Sequence, residues 1–223
     1  IATKKELAKS EPVLAIPDQV PPTFSANPQE NIIAFSLFGG NPRYCETSIL
    51  NIQLAKQIYP DWTCRFYVDV TVPVLVQQRL KEKGAQVIQV TDSQKQLSGL
   101  FWRFFVMDDP TIKRFLIRDA DSIVSHREKA AVDAWLKSDK WFHLMRDNYS
   151  HTELILAGMW GGCTGIFHNI EAHIRDYVAT GRYLDNRVMV LKLFPGITDK
   201  IMDACFSIDG LRGVVLETYG SGN

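Results

Sequence analysis

The chain has 223 residues, a length that suits one α/β domain, or one domain and part of another. Its 25 basic and 25 acidic residues cancel, so whole-chain charge leaves no footprint for nucleic acid or an anionic membrane. At 46% hydrophobic and 22% charged it can build a sizeable core, and no apolar run approaches the length of a membrane span.

Cys45, Cys64, Cys163 and Cys205 form no Cys-x-x-Cys pair. That spacing argues against a structural zinc site and a disulfide-dense secreted scaffold, and points to a reducing, cytoplasmic setting. Ile1 to Ser10 is polar and lysine-bearing, without the apolar core of a signal peptide. The chain opens without Met and stops at Gly222-Asn223, as a fragment does.

Pro12, Pro17, Pro21, Pro22 and Pro28 crowd residues 1–30, which read as an extended lead-in or linker. The first strand is expected over Ile32–Phe38, ending at Gly39-Gly40-Asn41-Pro42, a loop that allows close backbone approach to a ligand. Glu46–Tyr59 carries Ile49, Ile52, Leu54, Ala55 and Ile58 largely at helical spacing, and Pro60 stops it. Cys64–Val70 is a second strand, Val74–Lys83 a helix between Pro73 and Gly84, and Gln86–Val90 a third strand. This alternation predicts a Rossmann-like α/β fold, with a mainly parallel sheet flanked by helices. Leu97–Met107 is expected to be helical, with Leu100, Phe101, Phe104 and Phe105 as its apolar side and Arg103 interrupting it.

The stretch Arg114 to Ser122 organises the rest. Phe115-Leu116-Ile117 has the pattern of a strand covered on both faces, and Arg118, Asp119 and Asp121 follow where such a strand leaves the sheet. Ligands of open α/β sheets bind outside the carboxyl ends of the strands. Asp119 and Asp121 flank the small Ala120, so a turn there can aim both carboxylates at one point. Two hard oxygen ligands suit Mg²⁺ or Mn²⁺ holding a diphosphate; the alternative is a solvated turn that caps the next helix. That helix is expected over Arg127–Lys137 with Ala130, Ala131, Ala134 and Trp135 inward, followed by a strand Trp141–Met145 and a loop Ala157–Gly162. Ile170–Thr180 reads as a helix closed by Gly181.

Four blocks occur in order: Phe101-Trp102-Arg103-Phe104, Ile117-Arg118-Asp119-Ala120-Asp121-Ser122, His143-Leu144-Met145-Arg146-Asp147 and Ala157-Gly158-Met159-Trp160-Gly161. Together they resemble bacterial GT-A-type glycosyltransferases that use nucleotide-diphosphate sugars and carry a DxD motif. The resemblance covers residues 32–186 and implies a nucleotide-binding half on the first strands and an acceptor side on later loops. It implies Asp119 and Asp121 as metal and sugar-nucleotide ligands, with Ser36, Leu37 and Phe38 against base and ribose. Arg103 and Arg118 would be phosphate partners, and Asp147, His151, Trp160, Gly161 and Gly162 would line the sugar and acceptor pocket. The partners it implies are a nucleotide sugar and a glycan or small-molecule acceptor. Enzymes of this type bring a further metal-binding His or Asp from near the end of the domain, and that segment is missing or replaced here.

Several of these residues keep a second reading. Asp147 is either the base for the acceptor hydroxyl or a turn aspartate. Arg103 is a phosphate partner or a surface cation on an aromatic-rich helix. His151 is a metal ligand, a pocket donor or structural, and Trp160 is pocket wall or core. His126, His143, His168 and His173 show no ligand spacing.

From Val188 onward, Val188–Gly196 and Gly213–Asn223 resemble the opening of the C-terminal domain of cytoplasmic-type L-asparaginases, with no counterpart of the threonine-bearing N-terminal domain. Physically residues 188–223 form a βαβ unit, a strand, a helix over Asp199–Phe206 and a second strand. The expected organisation is a lead-in (1–30), a truncated GT-A domain (31–187) and an asparaginase-like segment (188–223). The expected activity is metal-dependent sugar transfer; the alternatives are a non-catalytic nucleotide- or carbohydrate-binding remnant and an asparaginase-related fragment.

Overall fold

The sheet grows outward from β1 (Asn31–Leu37), whose every residue is buried. In this computed structural model, residues 20–146, 148, 151, 155–180, 188–192, 198–208 and 213–217 are described. β1 pairs in parallel with β2 (Thr63–Val68) on one side and β4 (Arg114–Arg118) on the other. β3 (Gln86–Gln89) continues the sheet beyond β2, also in parallel. Beyond β4, β6 (Met159–Cys163) runs antiparallel, and β5 (Phe142–Leu144) pairs antiparallel with β6. The order β3-β2-β1-β4-β6-β5 reverses its direction of growth between β1 and β4. That reversal opens a crevice at the carboxyl ends of the two strands, the usual place for a ligand in such a sheet. The expected α/β fold with a mainly parallel sheet is the observed one.

One face of the sheet is covered by α1 (Pro42–Ile58), α2 (Val74–Glu82) and α3 (His126–Leu136). α1 starts four residues earlier than the apolar spacing indicated, because Asn41 accepts from the Arg43 N–H as a cap and Pro42 takes the first turn. α2 ends on Gly84 at φ +89, with the Gly84 and Ala85 N–H groups returning to the Lys81 and Leu80 carbonyls. This is the left-handed closure that glycine permits at little cost. α3 opens with a reciprocal capping box between Ser125 and Glu128. Its buried residues are Val132 and Trp135, whereas Ala130 and Ala134 face solvent. The inner stripe runs through Glu128, Val132 and Trp135, so Ala130 and Ala134, predicted to point inward, are on the outer side, while Ala131 is half-buried and lines a cavity.

Gly99–Asp108 is a 3₁₀ rather than an α-helix. Residues three apart align in a 3₁₀ turn, and Trp102 with Phe105 and Arg103 with Val106 go inward together. Leu100 is exposed, and Arg103, read as an interruption of the apolar side, is buried. The span 157–162 is not a loop throughout: from Met159 it is β6, in the middle of antiparallel pairing on both sides.

The described part of the proline-rich lead-in is tied to the sheet. Phe24 stacks on Trp62 at 6.2 Å, and Asn31 Nδ2 donates to the Ser25, Asn27 and Asp61 carbonyls. Arg114, buried at the amino end of β4, donates to the Pro22 carbonyl and lies 5.2 Å over the Trp135 ring.

A second unit starts at Ile174. It contains β7 (Val188–Lys192), α5 (Asp199–Phe206) and β8 (Gly213–Glu217), with β7 and β8 parallel in a sheet of their own. This is the predicted βαβ succession. Gly181 and the Thr218–Asn223 turn lie outside the described residues, and α4 (Ile170–Thr180) spans the division. Among the described residues no helix is long and apolar enough to cross a membrane.

His143 stacks on Trp135 at 5.7 Å, and burial, reinforced by the nearby Arg118 charge, pushes its imidazole down to about 4. The unfolded chain then takes up a proton near pH 6.5 that the fold refuses until about pH 4. Stability from neutral His143 is therefore full above about pH 6.5 and is lost as pH falls through that window. Denaturant unfolding of the wild type should lose up to about 3 kcal/mol from this group between those limits. His143→Phe should flatten that part of the profile; an unchanged slope would show that the imidazole is not the titrating group.

Candidate functional site

Two cavities open at the carboxyl ends of β1 and β4, and Asp119 is a wall of both. The smaller, about 300 Å³, is lined by Ser36, Leu37 and Phe38 from the end of β1, by Tyr44, Leu100 and Arg103, and by Asp119 to Asp121. The larger, about 780 Å³, lies between the start of α3 and residues 144–159, and includes Arg127, Glu128, Arg146, His151 and Gly158.

Arg103 ties the small cavity together. Its side chain is 5% exposed. Its backbone N–H donates to Ser36 Oγ at 2.9 Å, and Nη1 donates to the Arg118 carbonyl at 3.0 Å and to Asp119 Oδ1. The guanidinium lies 5.7 Å from the Phe104 ring centre, and Nε has no hydrogen-bond partner among the described residues. A desolvated cation needs a counter-charge, and Asp119 supplies it through Nη1. The picture of Arg103 as a surface cation is thereby corrected.

Asp121 is paired differently, with Arg43 Nη2 at 3.1 Å on a side chain that is 70% exposed. That pair is worth little against solvent and is readily exchanged. The two carboxylates offer hard oxygen donors at the mouth of the small cavity. Among the described residues no group of three or more His, Cys, Asp or Glu could hold an ion. Two carboxylates alone would leave most of the coordination shell of a Mg²⁺ or Mn²⁺ ion to other oxygen ligands and water.

Arg118 does not stand with them. It is buried on the helix-covered face of β4, in alternation with Leu116 and Arg114, and lines neither cavity. Its Nη1 donates to the Ile117 and Trp160 carbonyls at 2.8 and 3.0 Å. Its Nε lies 3.2 Å from Glu128 Oε1, close enough for an ion pair though not aligned for a hydrogen bond. The side-chain period of two turns Arg118 inward, so the expectation that it meets phosphate is corrected. Burial pushes the neighbouring Tyr59 phenol up, with Arg118 partly opposing the shift.

Trp160, Gly161 and Gly162 are also not cavity wall. Trp160 packs edge-on to Phe115 at 5.4 Å and beside Phe104, which makes it core. A Cβ on Gly161 would meet the Phe115 carbonyl oxygen at 2.5 Å, and one on Gly162 would meet the Phe142 ring at 2.7 Å. These glycines let strands approach, not sugars. His151 does line the larger cavity, and Asp147 lies outside the described residues.

Gly158, the first residue of the glycine-rich segment expected at the sugar and acceptor pocket, does line the larger cavity and lies against Asp119. A Cβ there would lie 1.9 Å from Asp119 Oδ2, so only glycine leaves the carboxylate in place. Asn51 was hidden in plain view: a polar residue inside the apolar stripe Ile49, Ile52, Ala55 of α1 demands partners.

No family model matches the chain, and no curated protein matches it. Among solved structures, 4-diphosphocytidyl-2C-methyl-D-erythritol synthase from Anaerococcus prevotii aligns with 84% of this chain and 86% of its own. The TM-score is 0.39 and the identity 12%. A likeness of that size carries no functional inference.

Gly158→Ala should displace the half-exposed Asp119 side chain and break its contact with Arg103, and the buried guanidinium left behind should cost at least about 1–3 kcal/mol. Gly161→Ala, which drives a methyl into backbone, should cost about 1–3 kcal/mol. Denaturant curves and a crystal structure of each variant check the pair; a Gly158→Ala structure with the Asp119–Arg103 contact intact would show that Gly158 serves packing rather than Asp119.

Proposed function

We propose that this chain moves a sugar from a nucleotide-diphosphate donor to an acceptor. The observation that carries the reading is the sharing of Asp119. A small cavity at the switch point of the sheet is suited to a donor, and it adjoins a larger one suited to an acceptor, with a single carboxylate facing both. The block resemblance to GT-A enzymes supports it independently.

In this reading the base and ribose lie against Ser36, Leu37 and Phe38, where the cavity is mostly apolar. The diphosphate faces Arg103, whose guanidinium can exchange part of its contact with Asp119 for charge-assisted bonds to phosphate. Asp119 and Asp121 would hold a Mg²⁺ or Mn²⁺ ion, which when bound supplies Lewis-acid neutralisation of the departing diphosphate. His151 faces the acceptor. Asp147 would take the proton of the attacking hydroxyl if configuration inverts.

A second reading has an observation of its own. Both aspartates are paired with arginines, and no third protein ligand joins them among the described residues. A domain that binds nucleotide or carbohydrate without turning it over would look the same.

Thermal shift with a panel of UDP- and GDP-sugars plus Mn²⁺ should raise the midpoint for at least one donor, because a ligand that binds only the folded form stabilises it. Donor turnover, by transfer or hydrolysis, then separates enzyme from binder. Asp121→Asn should lower that turnover by about a hundredfold or more with the fold intact, and a chelator should do the same. Full activity in chelator would remove the metal from the account, and no shift with any donor would remove the nucleotide.

A further inference from the structure

The loop that carries both aspartates is braced from below. Asp119 to Val124 belongs to no helix or strand, apart from one turn in which the Ser122 N–H donates to the Asp119 carbonyl. A free loop of this kind would leave its backbone groups to water. Here one side chain of α1 takes two of them: Asn51 Nδ2 donates to the Ser122 carbonyl at 2.8 Å, and the Val124 N–H donates to Asn51 Oδ1 at 2.9 Å. The amide thus pairs with the loop as a neighbouring strand's peptide would. Asn51 is wholly buried, so it touches no ligand. A few residues further on, Arg118 before the loop and Glu128 after it face each other at 3.2 Å, while Glu128 Oε2 accepts from the Ser125 N–H. The ends of the loop are thereby drawn together, and Asp121 sits one residue from the Asn51 bracket.

We propose that Asn51 is a positioning residue for the Asp119–Asp121 loop, assisted by the Arg118–Glu128 pair. What is positioned rests on the donor-binding reading above; that Asn51 orders the loop does not.

The molecule holds its own control. Asn31 is equally buried, and it too spends its side chain on loop carbonyls, those of Ser25, Asn27 and Asp61, at the opposite end of the sheet. Asn51→Ser and Asn31→Ser should both lower the melting temperature. Amide hydrogen exchange over residues 119–125, measured without ligand, should rise about tenfold or more in Asn51→Ser and stay at the wild-type rate in Asn31→Ser. Affinity for Mn²⁺–UDP or Mn²⁺–GDP, measured below both melting temperatures, should fall about tenfold in Asn51→Ser alone, the usual cost of losing a group that orients a ligand.

If Asn51→Ser does not fold, Asn51→Asp keeps the acceptor for Val124 and loses the donor to Ser122, and the same readouts apply. Wild-type protein that binds neither probe defeats the donor reading, and the exchange data then decide the Asn51 assignment by themselves. Unchanged exchange over 119–125 in the Asn51 variants, or an equal rise in Asn31→Ser, overturns it.

Discussion

A guanidinium with almost no access to water, held against one carboxylate, is the constraint on which the site depends. Arg103 enters the sheet's rim from a 3₁₀ turn and has little besides Asp119 to balance its charge. Removing one member of such a pair leaves the other buried and uncompensated. Asp119 therefore carries structural weight as well as any chemistry, and its two duties cannot be separated by simple neutralisation. Asp121, paired among the described residues with an exposed arginine, is the member of the motif whose chemistry can be read cleanly.

Order in this region is built in layers around the β1–β4 junction. The strands bring Ser36 and Asp119 to one rim, and Arg103 links them through its backbone and its side chain. Beneath the rim, Asn51 spends its buried amide on the loop, Arg118 donates to carbonyls of β4 and β6, and Glu128 faces Arg118 and accepts from the Ser125 N–H. Such an arrangement costs desolvation, and it specifies one geometry for two acidic side chains where a bare turn would sample several.

The parallel strands were legible because β1 and β4 are apolar runs flanked by turn residues; helical spacing marked α1, and Pro73 with Gly84 bracketed α2. The DxD rim was also legible, through the abrupt change from Ile117 to charge. What could not be read was direction. Arg118 and Asp119 are adjacent, yet alternation sends the first under the sheet and leaves the second at the cavities. The glycines of β6 read as a loop because their purpose lies in other segments: Phe115, Leu116 and Phe142 press so close that no side chain fits. The segment at residues 99–108 read as helical, but three-residue and four-residue spacing differ little over ten residues, so its 3₁₀ winding and the burial of Arg103 were not legible.

The bond from Arg114 to the Pro22 carbonyl joins positions 92 apart in sequence. Loop-closure entropy grows only slowly with chain length, so a contact across that separation costs little more than one across half of it. The strap at the base of the sheet therefore fastens the start of the described chain to β4 with only a small penalty for its distance in sequence.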